Sequence, residues 1–144
     1  MKSHCRSEQH NYLELARVLL VDADPTSRLT LQTVLEAGGY HVDAAASAAE
    51  AVGKLDEQEY QLVLSDLQME SPEAGLKVLA HARNMEYKPA TALVTSSRNA
   101  NAKSQRVSRA LVEPEDVPGL LSKVANLISQ RAARKVQREL RHAN

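Results

Sequence analysis

The stretch Arg17-Val-Leu-Leu-Val-Asp-Ala-Asp-Pro25 is the most informative for the fold. In it, the start of a helix directly follows a buried strand. The apolar run has the length of a strand, Asp24 is a favoured N-cap residue, and proline suits the first helical position. Gly38-Gly39 then ends the helix in the manner of a C-terminal cap. The sequence therefore predicts a strand and a helix between Arg17 and Gly39.

The same alternation continues along the chain. Further strands are predicted at His41 to Ala46, Gln61 to Ser65, Pro89 to Val94 and Arg109 to Val112. The first of these alternates apolar and polar residues, which is typical of an edge strand half exposed to water, and Ser47 is placed to cap the helix after it. Five strands alternating with helices predict an α/β fold with a doubly wound parallel sheet.

Length and composition limit the class of protein. The 144 residues suit one domain, and Cys5 is the only cysteine, which excludes an internal disulfide and a thiolate-rich metal site. No stretch approaches the roughly 20 apolar residues of a membrane span, and the polar N-terminus lacks the apolar core of a secretory signal. These features predict a cytoplasmic protein without membrane contact.

Charge is distributed unevenly, although the formal net charge is zero. From Val18 to Ala90 there are 12 acids and 5 bases, whereas from Arg98 to Asn144 there are 10 bases and 4 acids. An acidic front half suits a cation site, and a basic tail suits an acidic partner.

Three acids and one hydroxyl end or directly follow four of the predicted strands: Asp22, Asp66, Thr95 and Glu113. The carboxyl ends of parallel strands meet at one edge of the sheet, where ligands of open α/β folds bind. The sequence predicts a functional site at this edge. The alternative is that Asp22 and Asp66 are solvated strand-end acids and Thr95 an ordinary strand-end hydroxyl.

The chain from Val18 to about Ser129 resembles the receiver domain of two-component response regulators. The motifs that carry the resemblance are Val18-Leu-Leu-Val-Asp22, Asp24-Pro25-Thr-Ser-Arg28, Leu62-Val-Leu-Ser-Asp66-Leu-Gln-Met69, Leu93-Val-Thr95-Ser96 and Leu111-Val-Glu-Pro114. The likeness implies a flavodoxin-like sheet of five parallel strands in the order 2-1-3-4-5. It divides the chain into a polar N-terminal extension (1–16), a receiver-like domain (17–129) and a basic C-terminal helical extension (130–144).

The resemblance also implies roles for residues at the sheet edge. Asp66 matches the aspartate that accepts a phosphoryl group from a histidine kinase, and Thr95 matches the switch hydroxyl. Mg²⁺, which prefers oxygen ligands, would be held by Asp22, Asp66 and the backbone carbonyl of Gln68. The family's second metal-binding acid falls on Ala23, so one ligand of this set is missing.

Two further positions depart from the family. Glu113 replaces the lysine that pairs with a phosphoryl oxygen, and two like charges about 4 Å apart repel by roughly 4 kcal/mol at an effective dielectric near 20. Glu113 either points away as a surface glutamate or completes a three-carboxylate cation site with Asp22 and Asp66. The family's aromatic switch residue falls on Ala110.

The leading interpretation is a stand-alone, degenerate receiver-like signalling or adaptor module of a two-component phosphorelay, with impaired or absent phosphoryl acceptance. It predicts no enzyme beyond, at most, Mg²⁺-dependent self-phosphorylation and dephosphorylation. Its partner would be a histidine kinase or another signalling protein, or a second copy bound through the family's fourth-helix, fifth-strand and fifth-helix face. The alternative is a functional receiver phosphorylated on Asp66, with Mg²⁺ on Asp22 and Glu113 and with Arg98 replacing the lysine.

The C-terminal segment adds a separate prediction. From Asp116 to His142 the helical pattern runs 27 residues, or roughly 40 Å, which exceeds the span of a small domain. Its overhang carries the bases Arg131, Arg134, Lys135, Arg138 and Arg141. A solvated tail is favoured, followed by a helix for self-association or an output partner. Contact with nucleic acid or an anionic membrane comes last, because aromatic residues that stack on bases are absent.

Overall fold

The computed structural model describes residues 16–66, 69, 71, 73–94, 111–112 and 117–143. The five strands are β1 (Arg17–Val21), β2 (His41–Ala45), β3 (Leu62–Asp66), β4 (Ala90–Val94) and β5 (Leu111–Val112). The helices of this part of the chain are α1 (Pro25–Ala37), α2 (Ala48–Glu57), α3 (Ala74–Arg83) and the C-terminal helix (Val117–Ala143).

All strand pairs are parallel, and the sheet has the order β2-β1-β3-β4-β5. This confirms the predicted flavodoxin-like doubly wound α/β architecture with strand order 2-1-3-4-5. Because every strand points the same way, all carboxyl ends lie at one edge of the sheet. The segment Ser96 to Ser108 lies outside the described residues.

Side-chain caps begin the first two helices where the sequence predicts them. The Oδ2 atom of Asp24 accepts a hydrogen bond from the Ser27 N–H at 2.9 Å, and Pro25 is the first residue of α1. At α2, the Ser47 Oγ accepts from the Glu50 N–H, and the Glu50 carboxylate accepts in return from the Ala46 N–H. These bonds satisfy N–H groups that have no partner within the helix.

The end of α1 follows the predicted glycine pair. The Gly38 N–H donates to carbonyls of the last turn, and Gly39 has a φ of 102°, in the left-handed region that favours glycine. The chain can therefore reverse at once into β2.

Helices cover both faces of the sheet. On one face, α2 and α3 pack over a layer that includes Leu19 and Val63; on the other, α1 and the C-terminal helix pack over Leu20 and Leu64. Successive strand residues point to opposite faces, so a sheet covered on both sides needs uninterrupted apolar strands. This explains why β1 is buried from Val18 to Val21.

Strand β2 lies at the edge of the sheet as predicted, but its burial differs from the prediction. Val42 packs in one core layer and Ala45 in the other, while Ala46 is exposed and lies beyond the strand. The expected one-sided burial was wrong because helices cover both faces even at this edge.

The C-terminal helix is a continuous helix of 27 residues. Leu120 and Val124 are buried in the core, whereas Val136 and Leu140 are 54% and 60% exposed. Arg131 was expected in the overhang but is only 7% exposed, because its guanidinium donates to the carbonyls of Tyr87 and Lys88. The helix is therefore anchored to the domain at least as far as Arg131. Within the described residues, none of the helices combines the length and apolar character that a bilayer span requires.

Candidate functional site

The carboxyl ends of β1 and β3 bring two acids to the same level of the sheet. Val21 is aligned with Ser65 in the parallel register, and Asp22 and Asp66 are the next residues of the two chains. Adjacent strands lie about 4.8 Å apart, and residues at matching positions share a face. Asp22 and Asp66 are therefore neighbours, as the sequence predicted, on the side of the sheet covered by α1 and the C-terminal helix.

Asp22 is held firmly in place. It is only 2% exposed, and its N–H donates to the Ala45 carbonyl at 3.0 Å, which continues the pairing of β1 with β2. Its carboxylate accepts from the Asp24 N–H at 2.9 Å. A carboxylate buried in this way is positioned to bind a cation, with one oxygen already engaged by the main chain.

The next two residues of the chain supply no further free carboxylate. Ala23 is exposed and has no ligand atom on its side chain. The Asp24 carboxylate caps α1 through the Ser27 N–H. The cap engages Oδ2, and the Asp24 carboxylate is exposed at the start of α1, unlike the buried carboxylate of Asp22.

Arg28 brings a positive charge to this edge that the sequence reasoning did not assign. Its Nη1 atom donates to the main-chain carbonyl of Asp22 at 2.8 Å. Side chains in a helix lean toward the helix N-terminus, so an arginine one turn inside α1 reaches back to the end of β1. This direction and the short β1–α1 connection are the features from which the contact of Arg28 could have been predicted.

Asp66 ends β3 and is half-buried. The Ser65 Oγ lies 3.4 Å from the Asp66 carbonyl oxygen, to which it donates. Gly75, in the first turn of α3, approaches the same carbonyl and also lies close to the Ser65 Oγ. The first turn of α3 therefore packs directly against the main chain at the end of β3.

Three predicted site residues lie outside the described residues: Gln68, Thr95 and Glu113. The same holds for Ala110 and for Arg98, the suggested replacement for the family's lysine. Their assigned roles remain predictions. Within the part of the chain that the structure describes, no three His, Cys, Asp or Glu side chains are grouped so that they could hold a metal ion.

Comparisons with known proteins identify the family of this chain. The family model of the response regulator receiver domain matches residues 18–135. The gliding motility regulatory protein of Myxococcus xanthus is 36% identical over 78 residues, which make up 54% of this chain and 10% of that protein. The chain thus spans a small part of that relative.

Solved structures show the same fold. The response regulator protein TrrA from Thermotoga maritima, in complex with Mg²⁺-BeF, superposes with a TM-score of 0.66 at 28% identity, over 78% of this chain and 99% of that chain. A response regulator receiver domain protein from Clostridium thermocellum superposes with a TM-score of 0.67 at 21% identity, over 83% and 98% of the two chains. From the match over residues 18–135, this chain belongs to the response regulator receiver domain family of two-component signalling.

Proposed function

We propose that this chain is a receiver-like signalling or adaptor module in which phosphoryl acceptance at Asp66 is impaired or absent. One observation carries the proposal. Ala23 stands where the family's second metal-binding acid falls, and the neighbouring Asp24 carboxylate is engaged by the Ser27 N–H. Asp22 is therefore the one buried carboxylate at the end of β1, and the position directly after it carries no acid.

The residues present do not fit a complete magnesium site. Mg²⁺ requires nearly octahedral coordination by oxygen, and it binds where carboxylates and carbonyls are already close together. Asp22 and Asp66 would contribute, with the Gln68 carbonyl as a further proposed ligand. Among the described residues, no third acid is grouped with Asp22 and Asp66 so that the three could hold a metal ion.

Glu113 also supports the proposed loss of phosphoryl acceptance. It is assigned to the position where the family carries a lysine that pairs with the phosphoryl group. A carboxylate about 4 Å from that group would repel it by roughly 4 kcal/mol at an effective dielectric near 20, instead of attracting it. Thr95 keeps the family's hydroxyl, but a hydroxyl cannot supply the lost positive charge.

The proposed module acts by binding a protein partner. The partner is a histidine kinase or another signalling protein of the same pathway, and the proposed location is the cytoplasm. The fold supports this role because, among the described residues, apolar layers pack on both faces of the sheet, while the departures from the family fall on its carboxyl edge. A receiver scaffold can thus be kept for recognition when its chemistry is lost.

The alternative is a functional receiver phosphorylated on Asp66 with Mg²⁺. It is favoured by the Arg28 guanidinium, whose hydrogen bond to the Asp22 carbonyl places a cation at the same edge. In this alternative, Arg28 would take over part of the charge compensation that the lysine normally gives.

Beryllofluoride separates the two candidates, because with Mg²⁺ it occupies a competent site without any transfer reaction. The full chain is titrated with beryllofluoride and Mg²⁺ and followed by fluorine NMR, with the Thermotoga TrrA protein, whose complex is known, as the positive control. The proposed function predicts no bound signal for this chain. A bound signal that disappears in Asp66→Asn would establish the alternative.

A further inference from the structure

A basic cavity lies at the amino edge of the sheet, opposite the candidate site. Its volume is about 430 Å³, within the range of small-molecule pockets. Four positively charged side chains line it: Arg83, Lys88, Arg134 and Arg138. Pro89 and Leu127 give it a partly apolar wall, and no acidic side chain of the described residues lines it.

The four cations come from three separate parts of the fold. Arg83 ends α3, Lys88 lies in the connection from α3 to β4, and Arg134 and Arg138 are one turn apart on the C-terminal helix. Lys88 has a φ of 47°, a left-handed conformation that is uncommon for a residue with a side chain. The main chain therefore turns at Lys88, beside the cavity.

Arg131 holds these parts together. Its Nε donates to the Lys88 carbonyl at 3.0 Å and its Nη2 to the Tyr87 carbonyl at 2.7 Å. These bonds fix the C-terminal helix against the α3–β4 connection, so the backbone positions that carry the cations on both sides of the cavity keep their spacing.

The positive charges repel one another in the absence of an anion. Burial lowers the pKa of the Arg131 guanidinium, and the charges of Arg138 and Arg134 lower it further, against the opposing effect of Glu59. An anion in the cavity would relieve this repulsion. Guanidinium groups are also suited to phosphate oxygens, which they can bind through two parallel hydrogen bonds.

We propose that this cavity binds a small anion with linked phosphates, such as a nucleoside triphosphate or inorganic tripolyphosphate. Four cations around one cavity match more negative charge than a single phosphate carries, and a volume of about 430 Å³ suits a small molecule. Leu127, which is half-buried, offers an apolar surface to a nucleoside. The inference does not depend on phosphorylation, since the cavity and Asp66 lie at opposite ends of the strands.

The test is isothermal titration of the full-length Asp66→Asn chain, in which the phosphoacceptor carboxylate is absent, at constant ionic strength. Tripolyphosphate and ATP are titrated separately. We expect saturable binding of one anion per chain. Tighter binding of ATP than of tripolyphosphate would show that the apolar wall contacts the nucleoside. Equal affinity for the two anions would show that the cavity recognises the phosphate chain alone.

Matched variants locate the binding. Arg134→Gln and Arg138→Gln should each weaken it about tenfold, which corresponds to about 1.4 kcal/mol, because each removes a charged hydrogen-bond donor. Lys88→Asn removes a cation with a residue that tolerates the left-handed conformation, and should act in the same direction. Arg141→Gln, on the exposed part of the same helix, should leave the affinity unchanged.

Three results would overturn the proposal. One is the absence of saturable binding by both anions. Another is an equal loss of affinity in Arg141→Gln and Arg134→Gln, which would indicate diffuse attraction to the helix. The third is tighter binding of an oligonucleotide or an acidic polypeptide that displaces tripolyphosphate, which would assign the surface to a macromolecule.

Discussion

Gly75 lies against the main-chain carbonyl of Asp66 so closely that a Cβ atom at position 75 would be 2.5 Å from the carbonyl oxygen. The same atom would be 3.2 Å from the Ser65 Oγ. Both neighbours belong to β3 and cannot move without disturbing the sheet. The start of α3 therefore fixes the main chain of the proposed phosphoacceptor position.

Replacing Gly75 with alanine should destabilise the protein by about 1–3 kcal/mol, the usual cost of overpacking. The free energy of unfolding, measured in urea, gives this value directly. Gly53→Ala is the matched control, because its Cβ would meet no atom within 4 Å. In the middle of α2 that change should stabilise by about 0.5–1 kcal/mol. Equal effects of the two substitutions would show that the close approach at Gly75 is not maintained.

Arg131 should contribute to stability although it lies in a basic, mostly exposed part of the C-terminal helix. Arg131→Met keeps much of the aliphatic stem but removes the bonds to the Tyr87 and Lys88 carbonyls, so a loss of about 1.5–3 kcal/mol is expected. Arg141→Met, at an exposed position, should change the free energy of unfolding by less than about 0.5 kcal/mol. If both variants unfold at the same urea concentration, the helix is not anchored through Arg131.

The stability of the domain should fall at alkaline pH. Burial raises the pKa of Tyr87 from the ordinary tyrosine value of about 10 to about 12, and burial with a hydrogen bond to Asp43 raises the pKa of Tyr60. Above pH 10 the unfolded chain loses these protons while the native protein keeps them. The stabilisation is therefore complete below pH 10 and is lost as the pH rises toward 12.

Urea denaturation at a series of alkaline pH values measures this decline. Tyr87→Phe should reduce the slope of stability against pH, apart from a constant offset for its lost hydrogen bond to the Leu55 carbonyl. An unchanged slope in Tyr87→Phe would mean that this phenol titrates alike in the native and unfolded states.

Local chemical signals made much of the fold predictable. Asp24 and Ser47 predict helix starts because their side chains cap backbone N–H groups only three residues away. The burial of Arg131 had no such signal, since its partners lie 43 and 44 residues earlier in the chain. The strand-end acids were predictable from the parallel topology. The contact of Arg28 was indicated only by the lean of helical side chains and the short β1–α1 connection, because its acceptor is a backbone carbonyl that any residue could supply.

Restoring the family's residues at positions 23 and 113 should restore phosphoryl acceptance on Asp66. The double variant Ala23→Asp with Glu113→Lys regains a metal-binding acid and the positive charge, so it should accept a phosphoryl group on Asp66 when given Mg²⁺ and acetyl phosphate. Each single variant should be less reactive than the double variant, because each lacks one of the two groups. If the double variant stays inert while folded, changes elsewhere at the edge must also block transfer.

The most direct measurement is the intact mass of the wild-type chain after incubation with Mg²⁺ and acetyl phosphate, beside Asp66→Asn and the Thermotoga TrrA protein under identical conditions. Our account predicts a phosphoryl adduct on the Thermotoga protein and none on this chain. An adduct on the wild-type chain that is absent from Asp66→Asn would contradict it, and would show that the carboxylate missing at Ala23 is dispensable.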